Sequence, residues 1–291
     1  MRQNNVSNSS EIEKMDSLLE VLLHLEKKRA EDYRAEISKC PDGCLNIISV
    51  KGKTYFQQII KGKRKGISRD IDLIYKLARK RYLQLRVKEQ AEIIRNIGEL
   101  TGISHRKRKV ITQKSFVPIE KLLDKYGRAG LDVLRITCTP QQYQWVKREY
   151  RKNTKNPEQL IFETFSGIKV RSKSEQVIGN ALEVKGIPYR YEPEISMDLR
   201  WMEGVDWLVQ GKYKTYYPDF VIMTADGSFI FWEHLGRVDL EEYRKHNMEK
   251  IAAYRQNGVC DDDHLILSFE KDMERPETVH TIIAKRILPY M

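Results

Sequence analysis

The amino-terminal part of the chain changes from a helical to a strand-like spacing of apolar positions. Residues 1–10 have few apolar side chains and are predicted to be disordered, whereas residues 11–38 carry them at three-and-four spacing, which predicts a helix. Two β-rich runs follow, Leu45–Val50 and Thr54–Ile60. After a basic turn, a further helix is predicted from about Asp70 to Arg86 or beyond.

The apolar stripe of the first helix consists of Met15, Leu18, Leu22 and Leu25. It covers about two heptads, short of the three or four that indicate a coiled coil, so packing onto its own domain is favoured over pairing with another helix. Farther along, Pro118 and Thr139-Pro140 start further helices, and Lys152–Pro157 is typical of a linker. The domain boundary is therefore predicted near residues 160 to 166.

The carboxyl-terminal part has sharper signals. Ser172-Lys173-Ser174-Glu175 forms a capping box that starts a helix, and Gly186 ends it. A second capped helix is predicted from Asp239, with Glu242 at the box position, to Gly258. The β-rich runs between and after these helices are Tyr189–Ile195, about Trp207–Met223, Phe229–His234 and His264–Phe269. The predicted order is helix, three strands, helix, strand.

Two carboxylates lie in the otherwise apolar hairpin that turns at Asp226-Gly227. If the turn is an odd-membered loop centred on Asp226, Asp219 faces Glu233 on one side of the sheet, with Cβ atoms about 5 Å apart. A divalent cation would relieve the repulsion and the cost of burying both charges. With a two-residue turn the register shifts by one and Asp219 points to the other face.

Each acid also has an ordinary structural explanation. An isolated Asp or Glu in a strand is more often an edge residue or a salt-bridge partner than a catalyst. The capping box by itself explains a glutamate at Glu175. The functional interpretation therefore depends on the three acids occurring together, in this order, on this pattern of elements.

Composition and charge narrow the class of protein. The 291 residues are 41% hydrophobic and 32% charged, which excludes collagen, wholesale disorder and a disulfide-stapled miniprotein. No apolar run has the length of a membrane span, and the start lacks a signal-peptide core, so a cytoplasmic protein without membrane contact is expected. Four scattered cysteines agree with a reducing compartment.

The net charge of +11 is unevenly distributed. Residues 1–160 hold 35 basic and 19 acidic residues, whereas residues 161–291 hold 17 and 22. The excess peaks between residues 51 and 110 and is typical of a polyanion binder, although a solvated basic face is the plainer explanation. The predicted nucleic-acid-binding residues are Lys61, Lys63, Arg64, Lys65, Arg106, Lys107, Arg108 and Lys109.

The carboxyl-terminal part, from about residue 166, resembles the PD-(D/E)xK nuclease superfamily, which has the restriction-endonuclease-like fold. Pro218-Asp219 matches the PD pair, Glu233 the second acid, and Glu175 the acid of the first core helix. The Trp232–Gly236 stretch is similar to that of an uncharacterised bacterial and phage branch with a WEHxG motif. The resemblance implies a metal-dependent nuclease with an αβββαβ core.

One position departs from the family, which places a lysine two residues after the second acid, where this chain has Leu235. In the family, this lysine is understood to orient the attacking water and to stabilise charge on the phosphate. That role needs a cation near the metal and does not need a fixed position in the chain. Lys250 is the predicted substitute, because helical spacing places it on one face with Tyr243, Asn247 and Tyr254. The alternative is that Lys250 is a solvated helix lysine and that both tyrosines are core residues.

The resulting hypothesis is an α/β protein with a restriction-endonuclease-like core and an α+β amino-terminal part. Its predicted regions are a helix at 1–38, a basic sheet and helix at 39–110, a helical connector at 111–165 and a nuclease-like domain at 166–291. Its predicted activity is Mg²⁺-dependent hydrolysis of DNA, with Mn²⁺ as a substitute. The residues assigned to metal binding are Glu175, Asp219, Glu233 and the backbone carbonyl of His234, and Lys250 is predicted to assist the nucleophilic water.

Two other functions stay open. A catalytically inactive nuclease fold would serve in DNA binding or as a recombination accessory protein, and Leu235 favours that alternative. RNA is the other candidate partner, because exposed aromatic side chains stack on unpaired bases. A homodimer formed through the helix at residues 11–38 is a further expectation, since one active site cuts one strand at a time.

Overall fold

The computed structural model describes residues 3–101, 117–198, 213–236, 241–260 and 264–291. The chain is a mixed α/β protein, as predicted. It divides into two compact units, Met1–Ile136 and Thr137–Met291. Among the described helices, none combines the length and apolar character that a transmembrane segment needs. All four cysteines are free thiols.

The first unit consists of helices around a small antiparallel sheet with strand order β1-β2-β3. Its elements are α1 (Gln3–Ser38), β1 (Cys44–Val50), β2 (Lys53–Ile60), β3 (Lys63–Gly66), α2 (Ile71–Thr101), α3 (Val117–Arg128) and α4 (Val133–Thr137). The basic run predicted as a turn is itself strand β3, because Lys61 and Gly62 both have positive φ and close a two-residue hairpin.

Helix α1 differs from its prediction in two ways. It begins at Gln3, so residues 3–10 are helical rather than disordered. It packs against α2 through Glu26 and Ala30, whereas Leu22 and Leu25 are 39% and 43% exposed. The prediction that the leucine stripe packs onto its own domain is therefore wrong for these two residues.

The second unit is built on a four-stranded sheet and two short hairpins. Its elements are α5 (Pro140–Lys147), β4 (Phe162–Glu163), β5 (Lys169–Val170), α6 (Lys173–Val184), β6 (Tyr189–Tyr191), β7 (Ile195–Asp198), β8 (Tyr213–Tyr216), β9 (Phe220–Met223), β10 (Phe229–Leu235), α7 (Glu241–Gln256), β11 (Leu265–Phe269), α8 (Glu270–Met273) and α9 (Pro276–Arg286). Residues 207–212 of the predicted run Trp207–Met223 lie outside the described residues. The rest of the run forms two strands, and the first of these, β8, pairs with β7 in a separate sheet.

The main sheet has the strand order β11-β10-β9-β6. Strands β6, β9 and β10 are antiparallel neighbours, and β11 runs parallel to β10. Because side chains alternate across a strand, each strand contributes to two cores. Trp232 and Ile222 pack with α6 and α9 on one face, whereas Phe231 and Val221 pack with α7 on the other. The sheet therefore lies between two helical layers.

Residues 137–160 belong to the second unit, so its boundary precedes the predicted one near residues 160 to 166. The Gln142 side chain donates to the Met223 carbonyl at 2.9 Å. The Tyr150 hydroxyl donates to the Tyr191 carbonyl at 3.0 Å. The second part of the predicted helical connector thus supplies hydrogen bonds to the strands of the main sheet. In the segment predicted as a linker, the Asn153 amide donates to the Glu192 carbonyl at 3.0 Å, directly after β6.

These bonds predict how fragments of the chain behave. A fragment starting at residue 137 is expected to unfold cooperatively, whereas one starting at residue 161 loses the Gln142 and Tyr150 contacts and is expected to have a lower midpoint of thermal unfolding. Circular dichroism melting of both fragments measures this difference. Equal midpoints would contradict the assignment of residues 137–160 to the second unit.

Candidate active site

The hairpin of β9 and β10 has the odd-membered register. The paired residues run from Phe229 opposite Met223 to Trp232 opposite Phe220, which centres the hairpin on Asp226. In the turn, the Thr224 amide donates to the Ser228 carbonyl at 2.9 Å, and Gly227 takes φ 90°. If this pairing is continued by one residue beyond Trp232 and Phe220, Asp219 lies opposite Glu233. Both then lie on the face of the sheet that is covered by α7. The alternative two-residue turn is excluded.

Glu233 is the most enclosed of the three acids, with 2% of its surface exposed. Its Oε1 accepts from the Tyr254 hydroxyl at 2.7 Å, and its Oε2 accepts from Lys250 Nζ at 2.7 Å. Lys250 is 9% exposed and Tyr254 is fully buried. Lys250 is therefore not a solvated helix lysine, and Tyr254 is both a core residue and a hydrogen-bond donor to the site.

Asp219 is partly exposed at the edge of the same face. Its Oδ2 accepts a hydrogen bond of 2.7 Å from the His234 backbone amide, and its carbonyl accepts from the Glu192 amide at 3.0 Å. No described residue donates to its Oδ1. One carboxylate oxygen is thus fixed by the neighbouring strand, and the other is left for a ligand.

Glu175 both caps α6 and faces the site. The Ser172 amide donates to its Oε2 at 3.0 Å, which completes the predicted capping box. The Arg171 amide and the Tyr191 hydroxyl donate to the same oxygen, each at 2.8 Å. Since three donors converge on Oε2 and no described residue donates to Oε1, capping leaves one oxygen of Glu175 available.

Burial raises the pKa of all three carboxyl groups, and the charge of Asp219 raises the pKa of the other two further. Burial first, and then the charge of Asp219, raise the pKa of Glu175 to about 7. Burial and the Asp219 charge also raise the pKa of Glu233 to about 7, although Lys250 acts in the opposite direction. Burial raises the pKa of Asp219 as well. The ionised site therefore carries unfavourable charge that a cation would offset.

Lys250 keeps its positive charge despite its burial. Burial favours the neutral amine, but the carboxylates of Glu233 and Asp219 together raise the Lys250 pKa above its ordinary value. On the same helix, burial raises the pKa of Tyr243, which lies close enough to Asn247 for a hydrogen bond. Leu235, at the position of the family's lysine, is 8% exposed and packs with Ile251 in the core beside α7.

The side chain of His234 points to the face of the sheet opposite Glu233. Its Nδ1 lies 3.1 Å from Ser268 Oγ and its Nε2 lies 3.2 Å from Glu270 Oε1. This serine, histidine and glutamate series does not form a hydrolase triad, because Ser268 is fully buried and out of reach of a substrate. It holds β10 against β11. The His234 carbonyl stays a predicted metal ligand.

Sequence reasoning missed three residues that surround the acids, namely Arg171, Tyr191 and Glu192. Arg171 Nε and Glu192 Oε1 form an ion pair at 2.8 Å. Glu192 is 8% exposed, has φ 44° and contributes to the raised pKa of Asp219. The signals that were available are the position of Arg171 beside the capping box and the acid Glu192 inside the predicted strand Tyr189–Ile195.

The predicted nucleic-acid-binding residues fall into two groups. Lys61, Lys63, Arg64 and Lys65 are exposed on the β2–β3 turn and on β3. The run from Arg106, with Lys107, Arg108 and Lys109, lies outside the described residues. The described basic residues belong to the first unit, and the three acids and Lys250 belong to the second.

The three acids offer oxygen donors, which is the donor chemistry of a hard divalent cation. Carboxylate oxygens are the ligands that Mg²⁺ prefers, and Mg²⁺ is commonly bound through one or two carboxylates with waters completing its shell. Within the described ranges, no group of three or more His, Cys, Asp and Glu residues is assembled as a metal centre. The oxygens of Asp219 and Glu175 that receive no hydrogen bond from a described residue, and the second lone pairs of Glu233, are acceptors of the chemical type that such an ion takes.

Comparisons with known proteins leave the family undetermined. No family model matches the chain, and no solved structure matches it. An uncharacterised protein of Methanocaldococcus jannaschii is 38% identical over 96 residues, which is 33% of this chain and 7% of that protein. The chain thus spans far less than two thirds of this relative.

The raised pKa values predict how pH affects stability without a metal. Glu175 and Glu233 have pKa values of about 7 in the folded chain against an ordinary 4.5, so the folded state binds more protons between these values. Stability is therefore expected to fall as pH rises from 5 to 8 in EDTA. Asp219→Asn removes one charge and is expected to raise the unfolding free energy at pH 8 by about 0.5 to 2 kcal/mol.

The control for this prediction is Asp226→Asn in the same hairpin. Hydrogen bonds from Thr224 and Ser228 lower the pKa of Asp226, so its charge is favourable in the folded chain and its removal is not expected to stabilise. Urea denaturation of the three proteins at pH 5 and pH 8 measures the effect. A less stable Asp219→Asn protein at pH 8 would show that the Asp219 charge does not repel its neighbours.

Proposed function

We propose that the protein is a metal-dependent DNA nuclease whose second unit carries out hydrolysis and whose basic first unit binds DNA. Support for a PD-(D/E)xK type of core comes from the element order α6, β6, β9, β10, α7, β11 and from the sheet order β11-β10-β9-β6. The β7–β8 hairpin is an insertion into that order. This comparison is one of topology, so activity is argued from the site itself.

The observation that carries the proposal is the contact between Glu233 and Lys250. A buried carboxylate opposite Asp219 receives a hydrogen bond from a buried ammonium at 2.7 Å. Two acids and a lysine suit phosphodiester hydrolysis, since the reaction needs a charged scissile phosphate to be neutralised and a water to be activated. Lys250 supplies from helix α7 the cation that Leu235 does not supply from the strand.

Asp219 and Glu233 are the residues that would hold the metal ion, with Glu175 binding it directly or through water. When bound, the ion would supply charge neutralisation at the phosphate and a lower pKa for the water that attacks it. Tyr254 and the His234 amide orient the two carboxylates through 2.7 Å hydrogen bonds. Lys250 orients the attacking water and stabilises negative charge that builds up on the phosphate.

The cleavage test uses supercoiled plasmid with Mg²⁺, Mn²⁺ or EDTA. Cutting is expected with either metal and not with EDTA, and both Asp219→Asn and Lys250→Met are expected to slow it at least about 100-fold. The matched control is Lys245→Met, which removes an exposed lysine from the same helix and is expected to cut at the parent rate. Circular dichroism checks that each variant is folded.

Each result of this test has a clear meaning. An Asp219→Asn protein that cuts at the parent rate would exclude the metal assignment. Equal loss in Lys245→Met and Lys250→Met would exclude the special role of Lys250.

The first unit is proposed to bind DNA with an affinity that does not depend on the base sequence. The exposed residues Lys61, Lys63, Arg64 and Lys65 lie on one hairpin, and a hairpin of this width enters the DNA major groove. Neutralising all four charges is expected to weaken duplex binding and to make the slope of log K against log salt shallower by up to about 4.

Fluorescence anisotropy over a series of salt concentrations measures that slope. The control replaces Lys27 and Lys28, which are exposed on α1 of the same unit, and is expected to retain most of the slope. An unchanged slope in the hairpin variant would contradict DNA binding by this surface.

An inactive DNA-binding or recombination accessory protein is the second candidate. Leu235 favours it, as does the engagement of both Glu233 oxygens by Tyr254 and Lys250. Tight, salt-sensitive DNA binding without cutting under any metal would support this candidate. Competition with RNA in the same binding assay tests RNA as the partner.

A further inference from the structure

The hairpin of β4 and β5 displays two apolar side chains to solvent. Phe165 is 75% exposed and Ile161 is 72% exposed, the highest values among the large apolar residues that the structure describes. Thr164, between them in the chain, is buried, and Phe162 packs against the core of the second unit. The hairpin therefore has an anchored side and an outward side, and Phe165 stands at its tip.

The exposed ring is held on a rigid support. The Phe165 amide donates to Asn180 Oδ1 at 2.8 Å, and the Ser166 amide donates to Glu183 Oε2 at 2.8 Å. The other oxygen of Glu183 accepts from the Thr164 and Tyr189 hydroxyls, each at 2.7 Å. A side chain presented on a preorganised backbone loses little further freedom on binding, which favours a role in recognition.

Helix α6 carries both Asn180, which holds the tip, and Glu175, which lies about 140° away around the helix axis. Asn180, which holds Phe165, is five residues from Glu175, a distance of roughly 7.5 Å along the axis of a helix that rises 1.5 Å per residue. Strand β5 ends at Val170 and leads directly to Arg171, whose amide donates to Glu175 at 2.8 Å. A chain molecule bound at the acids can therefore reach the tip within a few monomers.

Positive charge accompanies this hairpin. Residues 148–173 hold seven basic and three acidic residues, whereas residues 174–291 hold 14 basic and 21 acidic ones. The Arg171 guanidinium donates to the carbonyls of Lys155 and Asn156 and pairs with Glu192, beside Asp219. Arg171 thus connects the basic segment at residues 148–173 to Glu192, which lies beside the acids. Six of the basic residues are exposed, namely Arg148, Arg151, Lys152, Lys155, Lys169 and Lys173.

We propose that Phe165 stacks on an unpaired nucleobase of the substrate strand, whose phosphates contact the exposed basic residues of the 148–173 segment. Paired bases within a duplex already stack on their neighbours, so a protruding ring selects single-stranded or locally unpaired DNA. A protein partner is a poorer fit, because a stable interface buries about 800 Å² on each side and charged Glu163 separates the two apolar side chains. This inference rests on the proposed nuclease function, since it places the strand beside Glu175 and Asp219.

The test measures binding in EDTA, so that no cleavage is needed. Single strands of about 15 nucleotides carrying one 2-aminopurine are titrated with the full chain, and stacking on Phe165 quenches the fluorescence of that base. Phe165→Ala is expected to abolish the quenching and to weaken single-strand binding about 5- to 150-fold. Duplex affinity and the salt slope are expected to stay within twofold of the parent values.

Two controls separate stacking from a general effect. Phe165→Trp is expected to retain the quenching, and Met248→Ala, which removes a 66% exposed side chain from α7, is expected to bind as the parent does. The proposal is overturned if Phe165→Ala binds single strands at parent affinity, or if it weakens single-strand and duplex binding equally.

Binding of a second copy of this chain at Phe165 would give a different experimental result. If Phe165→Ala converts a dimer into a monomer in sedimentation velocity without changing strand binding, the surface joins two copies of this chain and the proposal is overturned. Failure of the nuclease proposal would appear separately, as absent metal-dependent cutting or as an active Asp219→Asn protein, while the quenching of 2-aminopurine would persist.

Discussion

The burial of the Glu233 carboxylate is the constraint on which the second unit depends. A carboxylate with 2% exposure inside an apolar hairpin is stable only if both oxygens have partners. Tyr254 and Lys250 provide them from helix α7, each at 2.7 Å. Removing one partner of such a pair leaves a buried charge uncompensated, which typically costs 3 to 5 kcal/mol. The same contacts that dock α7 on the sheet therefore place an ammonium group at the site.

In each of the other two acids, only one carboxylate oxygen accepts the hydrogen bonds that hold the side chain in place. The His234 amide fixes Asp219, and the His234 ring, through Ser268 and Glu270, fixes strand β10. The capping box and the Tyr191 hydroxyl fix Glu175. This support keeps the three acids together although burial raises the pKa of each, and the Asp219 charge raises the pKa of Glu175 and Glu233 further.

Charge is divided between the two units in a way that matches the proposed roles. The first unit has exposed lysines and an arginine on the β2–β3 hairpin. These charges attract a nucleic acid whatever its base sequence. The second unit carries acids at its centre and an excess of basic residues at 148–173 along its rim. A phosphate chain would be drawn to the rim and repelled by the bare acids, which gives a bound cation a natural place between them.

The sequence by itself determined the local features of this protein. The capping box at Ser172, the hairpin turn at Asp226 and the helix start at Pro140 depend on neighbouring residues, so short-range patterns predict them. The candidate acids could be named for the same reason, because a carboxylate in an apolar strand is visible in the chain. Lys250 required more, since helical spacing indicates a face and not the partner of that face.

Only the tertiary structure decided which groups meet. Long-range packing joined residues 137–160 to the main sheet and left Leu22 and Leu25 exposed where periodicity predicted burial. The Lys250 bond to Glu233 spans 17 residues, and Glu192 reaches Arg171 across 21. Such contacts are set by how whole elements pack, and no local pattern carries that information. The exposure of Phe165 is likewise decided by tertiary packing. An aromatic residue beside a strand is usually buried, and only the folded chain shows that this one lies exposed at the tip of a hairpin.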